Sequence, residues 1–363
     1  MALTALFNIL TVFYVFRSLQ LGVSIWRNWS DLLQPPFSPR QKQMAEQASF
    51  FIAVPIGVFI HELLHAVPVW AFGGEVVEFA YRVFWGYVRP DRAFSDPQQW
   101  FISLAGTLGN LAFGLLLWLV LRRAKAASLR YFALRAFRFQ VYFALIYYPL
   151  FTLVLPIGDW RVIYDFSATP ALSGVTAVFH AFLLLAFWYG DRTGWFEMPA
   201  FRSQTEADAY QTLVQQTAVV YENPQPQLRL VDALRRGGAV RRAQRQLDEV
   251  LAAHPNVGVA HLQKALLNNN GRDQLSPSAA RSVERALELG MDDSRQTAVA
   301  YRLLGQFHLD RNQLAEAQAQ LDQAIALTAA PNAAPPLFRA DLFHLRAQVH
   351  RRQQAFAQAE EDA

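Results

Sequence analysis

Three stretches of about twenty residues carry no charged side chain: 101–121, 139–158 and 171–190. A helix of that length crosses the hydrocarbon layer of a bilayer, and so much uninterrupted apolar surface restricts a chain to very few folds in water. Residues 2–16 are also uncharged and continue past Arg17 toward Trp26. A fifth stretch, 50–72, is interrupted only by His61, Glu62 and His65. No small-residue cleavage site follows the first segment, so it reads as a retained span and not as a signal peptide. The expected membrane part is therefore α-helical, with about five transmembrane helices.

Charge divides the chain further. The whole sequence holds 33 Lys+Arg against 29 Asp+Glu, a net +4. Residues 1–200 contain 15 of the basic and 11 of the acidic side chains, which leaves 18 of each for 201–363, so the excess belongs entirely to the first part. All 9 Trp lie there too, the last being Trp195. Two domains are expected, a polytopic membrane domain over 1–200 and a soluble one over 201–363. The basic excess is then an orientation signal, and no nucleic-acid partner is expected. Residues 122–138 carry Arg122, Arg123, Lys125, Arg130, Arg135 and Arg138 without an acid. The positive-inside rule assigns that segment, with Arg27, Arg40 and Lys42, to the cytoplasm. Five spans then put the C-terminal domain in the cytoplasm as well.

The interrupted stretch holds the chemistry. Residues 61–65 read His-Glu-Leu-Leu-His. On a helix, His61 and His65 lie one turn apart on one face, so both imidazoles can reach one metal ion, and Glu62 is close enough to act as general base toward water there. Zinc suits two neutral imidazoles, a third protein ligand and an open position. The sequence has no cysteine, which excludes thiolate sites, disulfides and cysteine nucleophiles. Ionisable groups at membrane depth are costly and are functional candidates by default. Asp159, after Leu155-Pro156-Ile157-Gly158, is the best-placed third ligand, with a helix N-cap as its other reading. Glu75, Glu78, Asp165 and Asp191 read as interface or loop residues. Gly106, Asn110 and Gly114 share a helical stripe that lets two helices approach and allows Asn110 to hydrogen-bond across the gap. His180, alone on an apolar face, reads as a packing residue. Residues 74–90 are rich in strand formers, among them Val76, Val77, Phe79, Tyr81, Val83, Phe84, Tyr87 and Val88, and predict a small β element.

His61-Glu62-Leu63-Leu64-His65, the Gly106…Asn110 helix and an Asp after a proline-containing break together resemble the site-2 protease family, the intramembrane zinc metalloproteases that cut membrane-embedded substrate helices. The resemblance covers roughly residues 48–170. It implies that His61, His65 and Asp159 bind Zn2+, that Glu62 activates water, and that Asn110 matches the Asn of the family's Gly-Pro-x-x-Asn motif, which positions substrate or the oxyanion. It also implies a membrane-associated β element at 74–90, whose edge could hold an unwound substrate segment. The sequence departs from the family at Thr107, where Pro is usual, at Gly158 and Trp160, which flank Asp159 in place of Leu and Gly, and at Leu64, where Gly is frequent.

From about Gln204 onward, helical patterns alternate with short breaks. Aligning Val250, Ala286 and Ala324 gives separations of 36 and 38 residues, similar to degenerate tetratricopeptide repeats. Such helix pairs stack into surfaces that bind protein partners. His254, His261, His308, His344 and His350 show no ligand spacing. The expected function is an intramembrane zinc metalloendopeptidase acting on a substrate with a transmembrane helix, with the repeat domain recruiting a substrate or partner. The alternative is a catalytically inactive, membrane-anchored repeat scaffold. A proton-relay transporter is disfavoured because no inverted repeat is visible.

Overall fold

The computed structural model describes residues 2–83, 85–155, 157–219, 223–269, 274–330 and 332–362. Phe84 and Pro156, both used in the sequence reading, lie outside the described residues. The chain is mostly helical with one small sheet, and it divides into two compact units, residues 1–207 and 208–363.

The first unit opens with α1 (Ala2–Arg27), α2 (Trp29–Leu33), α3 (Pro39–Phe51) and α4 (Ala53–Ala71). Strands β1 (Val76–Tyr81) and β2 (Gly86–Pro90) follow, then α5 (Asp96–Leu121) and α6 (Ala127–Tyr142). A π-helical turn (Phe143–Tyr147), α7 (Tyr148–Val154), α8 (Asp159–Ile163) and α9 (Pro170–Arg192) complete it. Five helical segments are long and apolar enough to cross a membrane: Ile9–Arg27, Pro39–Ala71, Asp96–Leu121, Ala127–Val154 and Pro170–Arg192.

Two prolines explain how the helices of this unit are tied together. Pro55 has no N–H to offer the Phe51 carbonyl one turn earlier. Ser18 Oγ of α1 donates to that carbonyl instead, at 2.7 Å, and the Tyr14 hydroxyl donates to the neighbouring Phe50 carbonyl. Pro149 likewise offers no N–H to the Leu145 carbonyl, and His180 Nε2 of α9 lies 2.7 Å from that oxygen. His180 also sits 2.5 Å from the Tyr164 hydroxyl and packs on Trp160, so it joins α9 to the segment around α8. It is a packing histidine, in accord with its sequence reading.

The fourth apolar segment differs from its sequence outline. Residues 122–138 read as a loop before a span at 139–158, yet helix begins at Ala127 and the apolar segment ends at Val154. Arg130, Arg135 and Arg138 are therefore helical residues. Acids on neighbouring helices make this possible: Arg135 pairs with Glu46, which also accepts from the Tyr131 hydroxyl at 2.8 Å, and Arg138 pairs with Asp191 at 2.8 Å.

The strand formers of 74–90 make an antiparallel hairpin in which Phe79 faces Val88 and Tyr81 faces Gly86, with an irregularity between Val76 and Glu78. It is fastened to the outer side of α4, where the Tyr81 hydroxyl donates to Pro55 O at 3.0 Å and the Phe79 and Tyr81 rings meet Phe59.

The second unit begins within α10 (Gln204–Val219), just past the boundary read at residue 200. It continues through α11 (Pro224–Arg236), α12 (Val240–Ala253), α13 (Gly258–Asn268), α14 (Pro277–Leu289), α15 (Ser294–Asp310), α16 (Leu314–Leu327), α17 (Pro336–Arg352) and α18 (Phe356–Glu361). Val250, Ala286 and Ala324 lie on α12, α14 and α16 and are all fully buried. Gly305 lets α15 approach α16 closely, since a Cβ there would stand 2.7 Å from Leu321 Cγ. Leu321 packs with Leu309, Leu342 and Val349 in a core of its own. Leu321→Ala is expected to destabilise this unit by about 2–5 kcal/mol, the cost of an unfilled core cavity. Denaturant unfolding followed by hydrogen exchange in 314–352 checks the value.

Candidate metal centre

Helix α4 presents His61 and His65 one turn apart toward α5 and α8, and all three site histidine and glutamate side chains of this helix are buried. Asp159 reaches the same point from the first position of α8. His61 Nε2 and His65 Nε2 are 3.0 Å apart, and each is 3.1 Å from Asp159 Oδ2. The two histidines and the aspartate of the sequence reading thus converge from elements almost a hundred residues apart, about 98 positions for His61 and Asp159. Four ligands held at zinc distances of 2.0–2.1 Å stand about 3.3 Å from one another, so the observed triangle is close to the face of such a tetrahedron.

The surroundings fit a cation at the centre of that triangle. His65 Nδ1 lies 2.7 Å from the Ile102 carbonyl, which makes Nδ1 the protonated nitrogen and turns the Nε2 lone pair inward. His61 Nδ1 faces the Asn110 carboxamide at 3.4 Å, and Asn110 Oδ1 is buried with no hydrogen-bond partner among the described residues. Rotating that carboxamide by half a turn lets Oδ1 accept from His61 Nδ1–H, which satisfies the orphaned oxygen and again turns an Nε2 lone pair inward. Two inward lone pairs and a carboxylate oxygen in contact repel one another unless a cation or proton lies between them. Gly106 completes the cradle: a Cβ there would stand 2.4 Å from His65 Nε2 and 2.8 Å from His61 Cε1.

Glu62 is buried beside these side chains, beneath the hairpin. A Cβ at Gly86 of β2 would lie 2.6 Å from Glu62 Cγ and 2.8 Å from its Cδ, so the strand passes directly over the carboxylate's stem. Asn110, assigned from the sequence to substrate or the oxyanion, has its amide against the far nitrogen of His61. The other acids lie elsewhere. Asp191 pairs with Arg138, Glu78 with Arg89 at 3.1 Å, and Asp165 accepts from Ser167 and Ala168 in its own turn. Glu75 lies at the base of the hairpin, where its carbonyl accepts from Asp91 N–H. Asp159 does not cap a helix in the way its second sequence reading supposed: the N-cap of α8 is Gly158.

One residue at the centre was not read from the sequence. The Tyr148 hydroxyl donates to Asp159 Oδ2 at 2.9 Å and accepts from the Asp159 backbone N–H at 3.2 Å, and its ring stands edge-on to His61. A hydroxyl within an otherwise apolar run was the available signal, but Tyr147 beside it carries the same signal and points outward, 48% exposed. Among the described residues, His61, His65 and Asp159 form the group suited to a metal ion. Compared with protein-family models, curated proteins and solved structures, the chain matches none.

Proposed function

We propose that the first unit is an intramembrane zinc metalloprotease of the site-2 protease kind, hydrolysing peptide bonds in membrane-embedded substrates, and that the second unit recruits a protein partner or substrate. The observation that carries this reading is the contact of His61 Nε2, His65 Nε2 and Asp159 Oδ2, within 3.1 Å of one another, among helices apolar enough to cross a membrane. Such groups are expensive at membrane depth and persist where they do chemistry. Zinc fits two imidazoles and a carboxylate in a chain without thiolates.

When bound, zinc supplies a Lewis acid that polarises the scissile carbonyl and lowers the pKa of water. The protein's own groups do the rest. His65 and His61 are oriented by Ile102 O and Asn110, and Glu62 takes the proton of the attacking water and passes it to the leaving amine. The free edge of the β1–β2 hairpin, lying over Glu62, can pair with an unwound stretch of substrate main chain. Arg122, Arg123 and Lys125 favour the cytoplasm for their end of the helices, which assigns the second unit to the cytoplasm. The repeat reading of that unit is supported by the burial of Val250, Ala286 and Ala324 at corresponding places on α12, α14 and α16.

The test is metal dependence. The purified full chain in liposomes is expected to hold one zinc per chain and to cut a co-reconstituted single-span substrate. Phenanthroline is expected to stop the cleavage, and added zinc to restore it. Undiminished cleavage by metal-free protein would contradict the proposal.

A further inference from the structure

Helix α8 poses a local problem. Its first backbone amides have no intrahelical acceptor, and its N-cap is Gly158, which has no side chain to supply one. An aspartate near the start of a helix can turn its carboxylate back onto such amides. Asp159 instead directs Oδ2 at both histidines. The group that answers its N–H is the Tyr148 hydroxyl, at 3.2 Å, and the same hydroxyl donates to Oδ2 at 2.9 Å. One oxygen thus acts as the helix cap and as the clamp on the carboxylate.

Backbone geometry brings these groups together. Gly158 has φ +112°, a conformation that side chains rarely adopt. A Cβ there would strike Thr152 Cγ2 at 2.4 Å and approach the Tyr148 Cε2 and hydroxyl at 3.3 Å, so only glycine lets the chain turn this closely over α7. Tyr148 directly follows the π-helical turn 143–147, where an added residue per turn shifts the side chains that follow around the helix axis. The neighbouring Tyr147 points away, while Tyr148 is turned into the unit.

We infer that Tyr148 is the positioning residue for Asp159: its hydroxyl caps α8 in place of the aspartate and so fixes the carboxylate as a metal ligand. The inference rests on the metal-centre reading above and extends it to a residue outside the ligand set. The Tyr148 hydroxyl bonds Asp159 on both its Oδ2 and its backbone N–H. It acts through Asp159.

Co2+ titration of the purified full-length protein, with a chelator as competitor, tests this. Tyr148→Phe removes one oxygen and is expected to weaken Co2+ binding by about 10–100-fold, the usual effect of losing a partner of a metal ligand. It is also expected to change the d–d absorption of the bound ion, which reports ligand geometry and which a loss of folding stability alone would leave unmoved. In an Asp159→Ala background the same substitution is expected to add nothing, because a residue acting through Asp159 has no further effect once Asp159 is gone. Tyr147→Phe, on the exposed neighbour, is expected to bind as wild type. Unchanged affinity and spectrum in Tyr148→Phe, alongside weakened binding in Asp159→Ala, would overturn the role of Tyr148 and leave the metal centre standing. Equal weakening by Tyr148→Phe in both backgrounds would also overturn it. A wild-type protein that takes up no Co2+ would remove the metal centre and this inference with it.

Discussion

Gly106→Val is expected to empty the metal centre while leaving the helices in place. The added Cβ alone would stand 2.4 Å from His65 Nε2, inside any permissible contact, and the valine methyls would occupy the space between the imidazoles. His65 cannot retreat without breaking its bond to Ile102 O, and His61 is held by Asn110. Metal affinity should fall by about 100-fold or more, beyond the usual effect of disturbing a ligand's support, and proteolysis should fall with it. Gly106→Ala is the stricter test, because it adds only the Cβ. Metal content of the two purified variants, with helicity by circular dichroism as the folding control, checks the expectation. Full zinc occupancy in Gly106→Ala would show that the cradle is not where the ion sits.

Much of the centre was legible because its determinants are local. His61 and His65 need only the pitch of a helix to share a face, and Asn110 needs only the small residues around it. The hairpin was legible from its run of strand formers, and the apolar helices from their length. What escaped was decided by contacts between distant residues. Arg135 and Arg138 look like loop charges until Glu46 and Asp191 are brought beside them. His180 has a reason to exist only once Pro149 has left the Leu145 carbonyl without its usual donor. Tyr148 and Tyr147 are adjacent and identical in type, and the orientation of α7 alone distinguishes the one that meets Asp159. Gly86 lies over Glu62 because the hairpin folds back onto α4, a relation with no trace in the local sequence. Asn110, read from the sequence as a residue for substrate or the oxyanion, has its amide against the outer nitrogen of His61.

The second large effect concerns the chemistry itself. Glu62 is buried next to the His61–His65–Asp159 group and under the hairpin, and the basic group that its carboxylate feels there is His65. Accepting a proton from water is the task that the proposed hydrolysis gives this carboxylate. Glu62→Gln keeps the volume and much of the hydrogen-bonding capacity but cannot take that proton. General base catalysis contributes about 10²–10⁴-fold, so the turnover number should fall by that factor while the three metal ligands remain untouched. The most direct measurement is cleavage of a single-span substrate in liposomes by wild type and Glu62→Gln, with zinc per chain determined on the same preparations. Equal zinc is expected in both proteins, with cleavage within the membrane-embedded segment by wild type and loss of that cleavage in Glu62→Gln. Zinc bound equally in both, with cleavage absent from both or undiminished by the substitution, would contradict the proposed function.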